Sequence, residues 1–295
     1  MPNLKEVKNR INTVISTQQI TKAMKMVAAS RLRKAQDRIL QLRPYAEKLH
    51  ELQKRVSAGL GEDFSFNLSK PREVINKHLL IVVTSDRGLC GAFNSNVFRK
   101  IRALEQEQSN LFNKENLVIL PIGKKAYDYY RKRDYVIINT YWDLLSKLNF
   151  EEIKNAADFV IDGYQNGTFD KVDIVYNEFK NVATQILRVE PYLPMTSEII
   201  DEEAKPEEID FIYEPDKDEL LKELIPYALK IQFYKAVLES NAAENGARMV
   251  AMDQATENAS ELLKQLRLDY NRTRQAVITR EILEIVSGAN ALESS

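Results

Sequence analysis

The stretch TSDRGLCGAFN, residues 84–94, contains residue types that could bind an anion or supply a nucleophile. Gly88 and Gly91 can bring backbone N–H groups close to a phosphate. Cys90 can act as a nucleophile if a histidine lies beside it. The stretch has neither the three glycines of a dinucleotide fingerprint nor the Gly-Lys-Ser/Thr sequence of a phosphate-binding loop. The alternatives are a nucleotide or catalytic site and a packed turn with a buried cysteine, and the missing motifs favour the turn.

Metal-binding chemistry has little support elsewhere in the chain. The two histidines, His50 and His78, are far apart in the sequence and have no cysteine cluster near them, so no histidine-based metal site is predicted. The single cysteine excludes an internal disulfide and fits a reducing compartment. We expect no metal ion, no cofactor and no catalytic residue.

The chain that must position these residues has 295 amino acids, of which 44% are hydrophobic and 29% charged. It is long enough for one or two domains with a core. A net charge of -1 gives no overall indication of a nucleic-acid partner. The sequence contains no apolar run of about 18 residues, and its start, MPNLKEVKNR, lacks the apolar core of a signal peptide. We therefore expect membrane contact only through a partner.

Apolar and small residues recur every seven positions at both ends of the chain. The four columns run over Leu4–Gln53, Val7–Val56, Leu224–Leu266 and Leu221–Val277. Two columns three residues apart are the seams of a coiled coil. Because a compact insert separates the two ends, we predict an antiparallel two-helix coiled coil made by one chain. Gly288 is predicted to end the last helix as a C-cap.

Between the heptads, strand-like apolar runs alternate with helical patterns. The predicted strands are HLLIVVTSD, LVILPIG, YVIINTY, KVDIVYNEF and an edge strand ATQILRVEPYLP that stops at Pro191 and Pro194. Strands joined by helices predict a mostly parallel sheet. The predicted fold class is therefore α/β plus long helices, a coiled coil with an inserted Rossmann-like α/β domain. The predicted domains are a helix at 1–58, the α/β domain at 75–197 and a helix at 210–290, with an acidic linker at 198–219 leading into the last helix.

The first helix is strongly basic, because residues 1–58 contain thirteen Lys and Arg against four Asp and Glu. This imbalance indicates an acidic partner. Nucleic acid is one candidate, but the helix has no aromatic residue before Tyr45 to stack on bases, so an acidic protein surface is favoured. Met24, Met26 and Val27 lie off the predicted seam, and outward apolar groups need a partner to cover them.

Four stretches resemble the gamma-subunit family of the F-type ATP synthases: TQQITKAMKMVAASRLRKAQ, TSDRGLCGAFN, ARMVAMDQATENA and ITREILEIVSGANA. They occur in the family's order and span nearly the whole chain. The resemblance implies a non-catalytic rotor stalk that couples ion-driven rotation of a membrane ring to ATP synthesis and hydrolysis through asymmetric contacts. The implied partners are the alpha and beta subunits of the catalytic ring, the epsilon subunit and the membrane c-ring, with no nucleic acid. The implied location is peripheral, at the cytoplasmic face of a bacterial inner membrane.

The resemblance also implies contact residues. Lys22, Met24 and Lys25 would lie near an acidic lever loop of a beta subunit. A second set would meet loops of the ring, namely Arg248, Arg274, Gln275, Thr279 and Glu281. A turn facing the foot of the stalk would contain Asp86, Arg87, Gly88, Cys90 and Gly91. Two rival interpretations remain, an α/β nucleotide-binding enzyme with a coiled-coil arm and a basic coiled-coil protein that binds nucleic acid.

Overall fold

The computed structural model describes residues 4–58, 68, 71–108, 112–195 and 217–293. The elements in chain order are α1 (Leu4–Ala58), β1 (His78–Val83), α2 (Phe93–Glu107), β2 (Leu117–Ile122), α3 (Lys124–Arg131), β3 (Val136–Ile137), a short 3-10 helix (Leu144–Lys147), α4 (Phe150–Gln165), β4 (Lys171–Phe179), β5 (Gln185–Leu193) and α5 (Lys217–Glu293). The chain divides into two compact units, unit 1 with Met1–Val27 and Met249–Ser295, and unit 2 with Ala28–Arg248. Most of the predicted linker, 198–216, lies outside the described residues.

The long helices predicted at both ends are confirmed, since α1 has 55 residues and α5 has 77. Pro44 and Pro226 lie inside these helices and do not end them. The predicted helix end at Gly288 is wrong, because α5 continues to Glu293. Gly288 keeps a helical backbone, whereas a C-cap glycine adopts a left-handed one.

In unit 1, α1 and α5 pack side by side along the predicted seam. Three polar pairs join them at 2.6, 2.8 and 2.5 Å, namely Gln18–Ser260, Thr21–Thr256 and Lys25–Asp253. The partners move backward along α5 as they move forward along α1, so the two helices are antiparallel. Val7, Met252 and Leu263 are buried members of the same predicted columns. The heptad pattern therefore predicted the packed face of both helices in this unit.

In unit 2, the two long helices pack through a small apolar cluster. Leu32, Ala35 and Ile39 of α1 meet Leu238 and Ala242 of α5, and all five side chains are buried. The alanines carry little more than a methyl group at the contact, so the helix backbones can approach each other closely. The small residues of the seam thus serve close helix packing here as well.

The rest of unit 2 is built on a five-stranded sheet with the order β3-β2-β1-β4-β5. The first four strands are parallel and β5 runs antiparallel to β4. In β1, alternate side chains belong to two different cores, as the strand pleat requires. One core includes α4 and α5, and the other includes α2 and α3. This arrangement confirms the predicted Rossmann-like α/β fold.

Two strands differ from their predicted form. The run YVIINTY forms only β3, which has two residues and lies at the sheet edge, where Val136 is exposed. Later in the run, Ile138 and Tyr141 pack against the core that includes α4 instead of extending the pairing with β2. β5 runs through Pro191 and ends at Leu193, just before Pro194. An edge strand tolerates a proline because one side of it makes no ladder hydrogen bonds.

Replacing each of two helical glycines with alanine is expected to change the stability of the chain in opposite directions. A Cβ at Gly163 in α4 would lie 2.5 Å from the ring of Phe169, which is buried. We expect Gly163→Ala to lower the free energy of unfolding by about 1–3 kcal/mol through overpacking. A Cβ at Gly288 would meet nothing within 4 Å, so Gly288→Ala should raise helix stability by up to about 1 kcal/mol. Urea unfolding followed by circular dichroism compares the two variants, and a stabilised Gly163→Ala chain would contradict the packing at Phe169.

Candidate functional site

The stretch after β1 forms a closed turn held by its own side chains. Ser85 Oγ donates to the carbonyl of Arg87 at 2.7 Å, and Asn94 Nδ2 donates to Ser85 Oγ at 2.7 Å. Asn94 Nδ2 also lies 3.3 Å from Cys90 Sγ. At the tip, Leu89 has φ of 63° and its side chain is 64% exposed. We call residues 85–91 the β1 turn, and its hydrogen bonds hold an exposed leucine in a left-handed conformation.

The donors that an anion would use at the neighbouring helix end are already bonded within the chain. Asp86 Oδ1 accepts a hydrogen bond from the backbone N–H of Lys124, the first residue of α3, at 3.0 Å. Thr84 Oγ1 accepts from the N–H of Ala126 at 2.9 Å. At Gly123, whose φ is 106°, an added Cβ would lie 2.4 Å from the Thr84 carbonyl oxygen. The protein's own carboxylate therefore takes the place that a phosphate would need at this helix N-terminus.

Cys90 has the environment of a packed side chain. It is 2% exposed and belongs to a buried cluster with Phe93 and Ala243. Burial raises the pKa of the Cys90 thiol, although the hydrogen bond with Ser85 acts in the opposite direction. His78 lies at the start of β1, with its Nε2 2.8 Å from Asp173 Oδ2, whereas Cys90 follows the other end of that strand. No thiolate–imidazole pair forms between these two residues.

The part of the chain that the structure describes contains no cluster of side chains suited to bind a metal ion. Within those residues, no group of three or more His, Cys, Asp or Glu side chains could hold a metal ion. No helix among them is both long enough and apolar enough to cross a bilayer.

Arg248, on α5, also bonds the β1 turn. Its Nη1 donates to Glu244 Oε1 at 2.6 Å, and its Nη2 donates to the carbonyls of Arg87 at 3.0 Å and Gly88 at 3.3 Å. The side chain of Arg248 is buried. Burial raises the pKa of the Glu244 carboxyl, and the adjacent Arg248 guanidinium opposes that rise. Sequence reasoning placed Arg248 with Arg274 as a contact to ring loops, whereas here its donors are used inside unit 2.

The other expected contact residues lie in unit 1. Lys22 is exposed and Met24 is half-buried, while Lys25 pairs with Asp253 at 2.5 Å with both side chains partly in solvent. Met24 thus lies closer to the packed face than its sequence pattern suggested. The apolar side chains that do point outward from this part of α1 are Ile20, Met26 and Val27.

The last part of α5 is exposed on every described side. All residues from 274 to 290 are exposed, including the expected contacts Arg274, Gln275, Thr279 and Glu281. Six large apolar residues lie among them, namely Val277, Ile278, Ile282, Leu283, Ile285 and Val286. Their positions face several directions around the helix rather than one stripe. We call residues 274–290 the apolar tip, and a helix with this pattern is normally surrounded by protein.

Sequence comparison gives a family for the whole chain. Residues 3–292 match the sequence profile of a family described as ATP synthase. An ATP synthase gamma chain of Cytophaga hutchinsonii is 51% identical over 296 residues, covering 100% of both chains. An ATP synthase gamma chain of Flavobacterium johnsoniae is 46% identical over 292 residues and covers 99% of both.

Structure comparison gives the same kind of protein. A chain from the Tetrahymena thermophila mitochondrial ATP synthase, in a structure of the central stalk and c-ring, is 25% identical with a TM-score of 0.55, covering 80% of this chain and 99% of that one. A chain from the Euglena gracilis mitochondrial ATP synthase, in a structure of OSCP, F1 and c-ring, has a TM-score of 0.66 at 22% identity and covers 99% and 95%. At 22% identity, the likeness to the Euglena gracilis chain shows a shared fold.

Proposed function

The chain belongs to the family of ATP synthase gamma chains, and from this premise we propose how its surfaces serve as the central stalk of that complex. It is a non-catalytic subunit, and its action must come from contacts with other subunits. We propose that it couples ion-driven rotation of a membrane ring to ATP synthesis and hydrolysis in a ring of alpha and beta subunits.

The observation that carries this proposal is the apolar tip. Leaving Ile282, Leu283 and Ile285 in water is unfavourable, at roughly 1.5–3 kcal/mol for each side chain relative to full burial. Because the described residues of unit 1 leave them exposed, we assign their cover to another chain. A ring of subunits around the helix can cover several directions at once, which one flat partner cannot do. We therefore assign the alpha and beta subunits to this part of α5, with Arg274, Gln275, Thr279 and Glu281 as the polar contacts.

Charge supports a second contact, on α1. Lys22 is exposed in unit 1, beside the outward Met26 and Val27. An apolar surface with a cation at its edge fits a partner loop that is itself acidic and partly apolar. We assign Lys22, Met24 and Lys25 to an acidic loop of a beta subunit, with Lys25 sharing its charge between that loop and Asp253.

The β1 turn and the α/β part of unit 2 would face the foot of the stalk. We propose the epsilon subunit and the membrane c-ring as the partners there, with Asp86, Arg87 and Gly88 nearest to them. Arg87 and Leu89 supply exposed groups for such a contact, whereas Cys90 is buried and supports the turn from inside. The complex would lie at the cytoplasmic face of a bacterial inner membrane, which this chain would reach only through partners.

The mechanism is differential contact. An asymmetric shaft touches equivalent catalytic subunits differently, so each orientation of the shaft favours a different conformation in each of them. Turning the shaft then changes nucleotide affinity from site to site, by no more than the difference in contact free energy. Stiff helix pairs fit this task, and both units contain one.

A nucleotide-binding enzyme is the alternative, and the arrangement around the β1 turn argues against it. Asp86 caps the N-terminus of α3, and Gly123 packs against the Thr84 carbonyl. A nucleotide would have to displace the chain's own carboxylate and approach a densely packed strand end.

The test is reconstitution of the full chain with the alpha and beta subunits of the same organism. We expect one copy to co-elute with each ring on a sizing column and ATP hydrolysis to exceed that of the ring alone. The matched control is the same chain with Ile282 and Leu283 replaced by aspartate, which should remain folded and stay out of the ring. If the unaltered chain stays out but binds ATP alone, the enzyme alternative replaces the stalk.

A further inference from the structure

Arg248 and Glu244 form a charged pair at a buried position, where apolar side chains would avoid the free-energy cost of removing charges from water. Both residues are buried in unit 2, and Nη1 of Arg248 donates to Glu244 Oε1 at 2.6 Å. Taking two charges out of water costs free energy that their attraction often fails to recover. A buried pair of this kind is weak evidence for stability, so its value must lie elsewhere, and fixing one arrangement among several is the best-attested use.

The second arm of Arg248 shows what the pair fixes. Nη2 donates to the carbonyl oxygens of Arg87 and Gly88, which are consecutive residues of the β1 turn. The guanidinium therefore joins a side chain of its own helix to the backbone of a turn about 160 residues away in sequence. Glu244 accepts from Nη1 and leaves Nη2 directed at the turn, because the planar fork of arginine fixes the directions of its donors.

The β1 turn and the start of α2 also make apolar contacts with α5. Cys90 and Phe93 pack on Ala243, with Phe179 and Ala247 at the margin. Apolar packing has no preferred direction, so a small side chain such as alanine lets neighbouring surfaces slide with little change in free energy. Charge-assisted hydrogen bonds lose strength within a fraction of an ångström and with a few tens of degrees of rotation. Arg248 thus supplies the directional part of this contact.

The backbone beside the bonded carbonyls is strained. Leu89 follows Gly88 directly and has φ of 63°, a region that a branched side chain rarely occupies. Such a conformation persists when the surroundings determine it from several sides. Ser85 from one side and Arg248 from the other both bond the Arg87 carbonyl.

We propose that Arg248, oriented by Glu244, is a positioning residue that locks the β1 turn to one axial and rotational register on α5. The lock makes the turn and this part of α5 move as one body. In a central stalk, torque received by the α/β part of unit 2 then reaches α5 without slip, a consequence that rests on the proposed stalk function. The lock itself does not depend on that function.

The reactivity of Cys90 reports directly on the β1 turn, since it is the only cysteine of the chain and a buried residue of that turn. The full-length chain is treated with N-ethylmaleimide under native conditions, and the rate of modification is followed by mass spectrometry. We expect Arg248→Ala to raise that rate by at least about tenfold, since two charge-assisted contacts are lost. Arg248→Lys should fall between Arg248→Ala and the unaltered chain, because an ammonium cannot bond Glu244 and both carbonyls in the same planar arrangement. Glu244→Gln should also raise the rate.

Two controls separate positioning from general stability. Arg267→Ala removes an exposed arginine of α5 and should leave the rate unchanged. Val160→Ala opens a cavity beside α4, in the core that includes Phe233. Its modification rate is compared with those of the Arg248 variants at temperatures equally far below the melting temperature of each variant. A rate in Arg248→Ala within about twofold of the unaltered chain overturns the lock, and so does an equal rise in Val160→Ala. Where Arg248→Ala does not fold, Arg248→Lys is judged by the same two comparisons.

The effect on function is measured with the assembled synthase in vesicles, as the number of ions pumped for each ATP hydrolysed. We expect Arg248→Lys to lower the number of ions pumped per ATP hydrolysed while hydrolysis itself continues, because slip loses rotation rather than chemistry. An unchanged ratio with a raised thiol rate would overturn the transmission of torque and leave the lock standing. Failure of the unaltered chain to enter the complex would instead count against the stalk function, and the thiol measurement would still decide the lock.

Discussion

A chain carrying Phe233→Ala is expected to lose about 3–5 kcal/mol of unfolding free energy, the cost typical of removing a buried aromatic side chain. Phe233 has no exposed surface and lies on α5 in the larger core of unit 2. Its ring stands edge to face against Tyr192 of β5, with the centroids 5.9 Å apart. The hydroxyl of Tyr192 in turn donates to the carbonyl of Leu229, one turn earlier on α5. The substitution therefore empties the place where the long helix docks on the sheet.

The loss in unfolding free energy is measured by urea unfolding of the full chain. A thermal scan of the same variant should show a fall in melting temperature of about 6–20 °C for a unit of this size. Leu268→Ala is the matched control, because Leu268 is an apolar residue of the same helix and is 70% exposed. That control should stay within about 0.5 kcal/mol of the unaltered chain. Similar losses in the two variants would mean that α5 is not anchored to the sheet through Phe233.

The regular parts of this fold follow from the sequence because their residues repeat one physical requirement. The strand β1 is buried at every position and apolar at all of them except His78, since both of its faces are covered. The buried residues of α2 recur every three or four positions, at Phe93, Val97, Ile101 and Leu104. The heptad columns likewise selected Thr21, Ala28 and Ile39, which the structure buries. In each case, local spacing alone determines which side of the element is covered.

The deviations arise where position in the fold outweighs local pattern. YVIINTY has the composition of a buried strand, but only Val136 and Ile137 pair with β2, while Ile138 and Tyr141 pack on a core. Gly288 is the residue type that commonly ends a helix, but α5 continues through it. Nothing in the residues adjacent to either position indicates which neighbours the fold will supply.

The candidate site divides in the same way. The sequence located the β1 turn, because it is a contiguous stretch with distinctive residues, whereas Arg274, Gln275, Thr279 and Glu281 of the apolar tip came from the family resemblance and the exposure of the tip's apolar side chains was not predicted. It did not indicate that Arg248 bonds the carbonyls of Arg87 and Gly88, because that contact joins parts of the chain far apart in sequence. The signal that was available is the spacing of Glu244 and Arg248, four residues apart on one helix face, which predicts an ion pair but no third partner.

Replacing Leu283 and Ile285 with aspartate is expected to weaken binding of the chain to the ring of alpha and beta subunits by at least about 30-fold. Truncating a central interface residue commonly costs about 2 kcal/mol or more, and a buried carboxylate adds a desolvation cost. Both side chains are more than half exposed in the chain alone, Ile285 by 71%. Their replacement therefore removes little packing within unit 1, and the melting temperature of the isolated chain should be nearly unchanged.

Glu284→Gln is the matched control for this double variant. Glu284 lies between the two altered residues on the same exposed stretch, and its substitution changes one charge while keeping the shape of the side chain. It should bind the ring nearly as well as the unaltered chain. Binding is measured by titrating labelled chain into the ring, with stimulated ATP hydrolysis as the second reading. Tight binding of the double variant would show that the ring does not cover the apolar tip, and the cover would then have to come from a second copy of the chain or from another subunit.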